Sequence, residues 1–252
     1  DVPSLVHDLQ FQGAESWSPA DACWDMRHPQ NAELHVTYTI ETGKREFDWS
    51  STHDPICTRS FFQGFGPTFL LTPASGGNMP EEYDVVLRWK LPDKWEAACS
   101  WGLGPSLGQR MSASDVRQSV YLAGRRLTRA TANVPNASNV TVVLIDRFAF
   151  SANELAQFAE KTIAAEVGFM GEQNFPDFIV TAIPIGEPLS TQAEVPLVGM
   201  GLYHSFALCL APESKLTDTV EHLFAHELFH YWNGRVLSAA EPEREVYWFV
   251  EG

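Results

Sequence analysis

Long hydrophobic runs are missing from this 252-residue chain. No uninterrupted apolar stretch approaches the roughly 20 residues that a bilayer-spanning helix needs, so a helical membrane span is excluded. Cations are scarce: 17 Lys and Arg face 32 Asp and Glu, for a formal net charge of −15. Nucleic acid and anionic lipid surfaces reward clustered positive charge and are therefore poor partners. Cysteine is scarce too. Cys23, Cys57, Cys99 and Cys209 form no CxxC pair, which argues against a cysteine-built zinc site. One disulfide among the first three, or buried unpaired thiols, are the two readings left. Internal repeats, low-complexity tracts and long linkers are also lacking. The chain begins at Asp1 rather than Met, as after removal of a signal peptide or a tag. A periplasmic or secreted location is the expectation, with the cytoplasm as the alternative.

What is present is ample core material, since 44% of the residues are hydrophobic and 12% aromatic. The first half reads as β structure. "AELHVTYTI" and "EYDVVLRWKLP" alternate apolar and polar, "TFLLTP" reads as a short apolar strand, and Gly, Pro, Ser and Asn cluster between them, a texture that suggests a sandwich. After residue 137 the pattern changes. "NVTVVLID" and "FPDFIVTAIPI" read as buried strands, and "VPLVGMGLYHSFALCLAP" as a further strand with a glycine-rich entry. Ser151 can cap the helix "ANELAQFAEKTIAAEVGFM", whose apolar positions recur at helical spacing. A second short helix, "EPEREVYWFVEG", closes the chain.

The chemistry concentrates in "HLFAHELFHYW", residues 222 to 232. Asp218, followed three residues later by Glu221, makes a start resembling a capping box for this helix. At about 100° per residue, Val220, Phe224, Leu228, Phe229, Tyr231 and Trp232 cover one broad side, which predicts a buried helix. His222, His226, Glu227, His230 and Asn233 occupy the remaining arc. His226 and His230 lie one turn apart, roughly 6 Å along the axis and about 40° around it, so both rings can reach one point. Glu227 is rotated off that line but stays on the same side, where a general base belongs. The pentad His226-Glu227-Leu228-Phe229-His230 is the H-E-x-x-H pattern of zinc hydrolases. The competing reading is a buried helix that happens to be rich in histidine. Ligands from three consecutive turns of one straight helix cannot close on a single ion, so His222 is expected to bond solvent or backbone instead. A third ligand must come from elsewhere. Among Glu241, Glu243, Glu245 and Glu251, the last ends the apolar run "VYWFVEG" and is the first choice, with Glu245 second.

"HELFHYWN" followed by "YWFVEG" resembles the glycyl-aminopeptidase family, gluzincin metallopeptidases related to aminopeptidase N. "LPDKWEAAC" and "GLYHSFALCL" extend the resemblance over most of the chain. It implies an α+β fold: an N-terminal β-sandwich over residues 1–137, then the first part of a thermolysin-like (zincin) catalytic domain over 138–252. It further implies one Zn2+ per chain held by His226, His230 and Glu251, with Trp248-Phe249-Val250-Glu251-Gly252 matching the family's W-x-x-E-G. Glu227 would be the general base, peptides or proteins the substrates, and Tyr203 and His204 substrate-binding residues. Tyr203 stands where the family carries a glutamate that anchors a free amino terminus, and a phenol cannot pair with an ammonium as an ion. The choice between exo- and endopeptidase stays open for that reason. In the family a helical subdomain bearing an oxyanion-stabilising tyrosine follows the third ligand, so the chain is expected to be a fragment whose missing C-terminal portion completes the site. The alternatives are a metal-stabilised binding or scaffold module, and a zinc hydrolase acting on a non-peptide substrate.

Overall fold

The computed structural model describes residues 5–20, 23–29, 32–42, 54–73, 81–135, 137–185, 197–233 and 237. The chain begins with small antiparallel pairs. Val6–Gln12 (β1) joins His35–Ile40 (β4), and Ser16–Ala20 (β2) joins Cys23–Arg27 (β3) between them. A five-stranded sheet follows, built from Ile56–Cys57 (β5), Phe61–Phe65 (β6), Glu96–Cys99 (β8), Gly102–Leu103 (β9) and Val120–Gly124 (β11) in the order β5-β6-β11-β8-β9. Tyr83–Arg88 (β7) and Ser106–Met111 (β10) make a separate antiparallel ribbon. Burial along β4 and β7 alternates residue by residue, as it must in a strand with one wetted face. Two short helices, Gly66–Phe69 (α1) and Ala113–Arg117 (α2), complete this part. "TFLLTP" is thus no strand: Pro67 sits at the helix start, where a fixed φ and a missing N–H cost nothing.

A second five-stranded sheet carries the remainder. Its strands are Leu127–Asn133 (β12), Asn139–Ile145 (β13), Phe178–Pro184 (β14), Leu197–Leu202 (β15) and Ser205–Leu210 (β16), in the order β12-β13-β14-β16-β15. β13, β14 and β16 run parallel, and the two outer strands are antiparallel to their neighbours. Ala152–Met170 (α3) is the crossover between β13 and β14. Ser151 is the N-cap, as the sequence suggests, and with Glu154 it closes a full capping box; Gly171 ends the helix in the left-handed region at φ 67°. The "VPLVGMGLYHSFALCLAP" segment forms two strands rather than one, because the chain reverses at Tyr203 and His204 between β15 and β16.

β14 and β16 are buried almost from end to end because both faces of the sheet are covered. Val140, Val142, Leu144, Val180, Phe206 and Leu208 point to the side covered by α3 and by Asp218–Phe229 (α4). The alternate positions Val143, Ile145, Ile179, Ile183 and Cys209 meet Phe61, Ala98 and Leu122 of the first sheet. All four cysteines are unpaired; Cys23 and Cys57 are exposed, Cys99 and Cys209 buried. Burial pushes both buried thiols up to about 12. Among the described residues no helix is long and apolar enough to cross a membrane.

Candidate active site

The sequence places α4 by its apolar spacing. Val220, Phe224 and Leu228, four residues apart, are its buried positions, and Phe224 meets Phe206 of β16 edge-on at 4.9 Å and Phe158 of α3 at 5.9 Å. Its N-cap is Thr217, one residue earlier than the sequence suggests, and Thr217 makes no side-chain capping bond. Asp218 and Glu221 instead lie in the first turn, where negative charge complements the helix dipole. The helix ends at Phe229, and the chain then tightens: Tyr231 N–H donates to Leu228 O, and Trp232 N–H to Phe229 O. That turn buries Trp232 against Phe175. Phe229 departs from the wheel and is 37% exposed, because the sheet and α3 take up only the Val220–Phe224–Leu228 side.

His226 and His230 come together on the uncovered side. Their ring centroids are 4.8 Å apart and the ring planes lie at 82°. His226 is exposed and His230 half-buried. His230 Nδ1 lies 3.4 Å from the carbonyl oxygen of Asn233. A carbonyl only accepts, so Nδ1 is the donor in that contact. His222 is not part of this pair. It is exposed and its Nδ1 donates to Asp218 O at 2.7 Å, a bond to backbone within its own turn.

Glu227 is half-buried and pinned. Gly201 N–H of β15 donates to Glu227 Oε2 at 2.9 Å. The two glycines of "GMG" make this approach feasible. A Cβ at Gly199 would come within 2.9 Å of Glu227 Cγ and 2.7 Å of the Phe206 ring, and one at Gly201 within 2.6 Å of Glu227 O. Two residues apart on a strand, both missing side chains belong to one face, and that face receives α4. The i, i+2 glycine spacing was the sequence signal for this packing, and the motif reading passed over it.

Tyr203 and His204 form the β15–β16 turn, with His204 at φ 43°, a region a non-glycine residue enters only when its surroundings hold it there. The two rings stack at 4.0 Å and 20°, and His204 lies 6.2 Å from the ring of Tyr231, next in sequence to His230. His204 is therefore a turn residue rather than a strand-edge one. Glu251, with Glu241, Glu243 and Glu245, lies outside the described residues. Among the described residues no group of three His, Cys, Asp or Glu side chains gathers to hold a metal. The pair that does gather, two crossed imidazoles, is of the donor type and number that would make up half of a tetrahedral zinc site.

No family model matches the sequence, and no curated protein is similar to it. Solved structures are similar in fold. An aminopeptidase N family protein from Idiomarina loihiensis superposes with a TM-score of 0.71 at 14% identity, covering 100% of this chain and 43% of that one. An M1 zinc metallopeptidase from Deinococcus radiodurans gives 0.51 at 15% identity, covering 94% and 56%. A mutant of the latter bound to a Tyr-Ser-Ala substrate gives 0.53 at 14%. The chain thus spans about half the length of these proteins. At such identities the likeness is one of fold: a mixed, strand-rich architecture shared with part of the M1 metallopeptidases.

Proposed function

We propose that this chain is the zinc-binding part of a metallopeptidase of the glycyl-aminopeptidase type, with an N-terminal β-sandwich ahead of the first part of a thermolysin-like domain. The observation that carries the reading is the crossed pair of imidazoles on α4 with Glu227 tied to the adjoining strand beside them. His226, His230 and Glu251 would hold one Zn2+. The bound ion would supply Lewis acidity toward a carbonyl oxygen and acidify water.

The chain's own groups supply the rest. Glu227 Oε2 is engaged by Gly201 N–H, which leaves Oε1 to take a proton from the attacking water and return it to the departing amine nitrogen. β15 is the outer strand of its sheet. In an antiparallel ladder alternate residues direct both backbone groups to the same side. Since Gly201 N–H points away from β16 to Glu227, the C=O of Gly201 and both groups of Gly199 point the same way, toward the position an extended peptide would occupy as an added strand.

Replacing Glu227 with Gln should lower hydrolysis of peptide anilides by about 10²–10⁴-fold while zinc content stays at that of the parent. Undiminished turnover would remove Glu227 from the role of base. Parent protein that takes up no zinc would remove the metallopeptidase reading altogether.

A further inference from the structure

The first sheet contributes more than a packing surface, because it grips the backbone of the Tyr203–His204 turn from two directions. Tyr203 N–H donates to Gln118 O at 2.6 Å. That carbonyl stands at the end of α2, which three hydrogen bonds brace. Asp115 N–H bonds the Ser112 cap, Ser119 Oγ donates to Asp115 O, and the Tyr121 hydroxyl donates to Val116 O.

The second grip is a buried relay. Ser205 Oγ donates to Tyr203 O at 2.9 Å, and Ser100 Oγ lies 2.7 Å from Ser205 Oγ. Each hydroxyl has a single proton to give. With the Ser205 proton committed to Tyr203 O, Ser100 must be the donor between the two serines. Ser100 Oγ in turn accepts from Val120 N–H at 2.8 Å. The bonds therefore run one way, from β11 through Ser100 and Ser205 to the turn. Both serines are buried, at 3% and 0% exposure, so water cannot substitute for either partner. The apolar seal around them, Phe65 and Val120 against Ala207, Met200 and Leu202, also joins the two sheets. His204 O is held as well, by Ile179 N–H of β14 at 3.0 Å.

This set of bonds accounts for the left-handed His204, whose backbone conformation is imposed by its neighbours. It also aims the stacked Tyr203 and His204 rings toward Tyr231 and the metal helix. We infer that Ser100, Ser205 and Gln118 are positioning residues through which the first sheet sets the affinity of the site for peptide, by fixing an aromatic shelf at the end of β15. The shelf is uncharged on its tyrosine and suits an apolar or aromatic residue of the substrate. The inference rests on the peptidase reading given above.

The test uses the zinc-loaded full-length metallopeptidase of which this chain is the zinc-binding part, with Leu-4-nitroanilide and its N-acetyl form as probes. Ser205→Ala should raise KM about three- to tenfold while leaving kcat and zinc content unchanged. Ser100→Ala should do the same, and the double variant should be no worse than either alone, because one relay is cut in both. Ser205→Ala leaves the Val120–Ser100 bond in place, so it serves should Ser100→Ala fail to fold. The ring-proton NMR signals of His204 should move in both variants as its stacking on Tyr203 loosens. An active parent whose variants keep the parental KM and His204 signals would overturn the inference, as would strictly additive effects of the two substitutions. A parent that hydrolyses neither anilide would instead overturn the peptidase reading itself, an outcome read before any variant is made.

Discussion

Leu155 and Val86 stand for two regions held together by different means. Leu155, on α3, is wholly buried, in a layer where helices cover one face of the second sheet and another sheet covers the other. Val86, on β7, is 52% exposed in a two-stranded ribbon. Isolated ribbons of two strands are marginal in water, whereas a sheet closed on both faces gains apolar burial from every residue of its inner strands. The candidate metal helix rests on the closed sheet. Its two histidines and Glu227 are therefore mounted on the most thoroughly packed part of the described chain, and the ribbons can vary without disturbing them.

The contrast can be broken most sharply by truncation. Leu155→Ala should cost about 2–5 kcal/mol, while Val86→Ala should stay within about 0.5 kcal/mol. Parallel urea titrations measure both, and equal losses would dissolve the distinction between the regions. A smaller effect is expected where the site meets its platform. Gly199→Ala places a methyl group against Glu227 Cγ and the Phe206 ring, and overpacking of this kind costs about 1–3 kcal/mol. Because the displaced group is Glu227, kcat should fall with the melting temperature; a variant that loses stability alone would separate the glycine from the chemistry.

A further effect has the opposite sign and depends on pH. Glu166, on α3, is pushed up to about 8 by burial, and its Oε2 is buried without a hydrogen-bond partner. In the unfolded chain this carboxyl ionises in the usual range, so between there and pH 8 the folded state binds more protons than the unfolded one. Stability contributed at this position then declines as pH rises through that window and levels off above it. Glu166→Gln should therefore melt higher than the parent at pH 8, with the gap closing toward pH 4. A gap that is constant with pH would show that desolvation of the carboxylate is not its source.

Much of this architecture was legible in the sequence wherever one periodicity operated without interruption. The α3 helix announced itself through Ser151 and its apolar spacing, and β13 and β14 through continuous β-branched and aliphatic runs. The β15–β16 hairpin was hidden because burial on both faces erases alternation and its turn residues are Tyr203 and His204, neither a usual turn former. "TFLLTP" misled for a related reason, since a short apolar run fits helix and strand alike. At the site, the His226, Glu227 and His230 spacing could be read directly from helix geometry, and the convergence of the two rings agrees with it. The Ser100–Ser205 contact could not be read, because it joins positions 105 residues apart through small polar side chains that carry no periodic signal. Glu251 was read from the sequence and from family resemblance, and it lies outside the described residues.

The unpaired cysteines divide the molecule into an inside and an outside that ordinary chemistry can interrogate. A thiol held near 12 is almost wholly protonated at neutral pH and a weak nucleophile even where a reagent can reach it. Cys23 and Cys57 should be alkylated at once. Cys209, which donates toward Gln63 across the seam between the sheets, becomes reachable only when those layers part. Its rate of alkylation is a built-in clock for how often the second sheet comes away from the first, which steadies it.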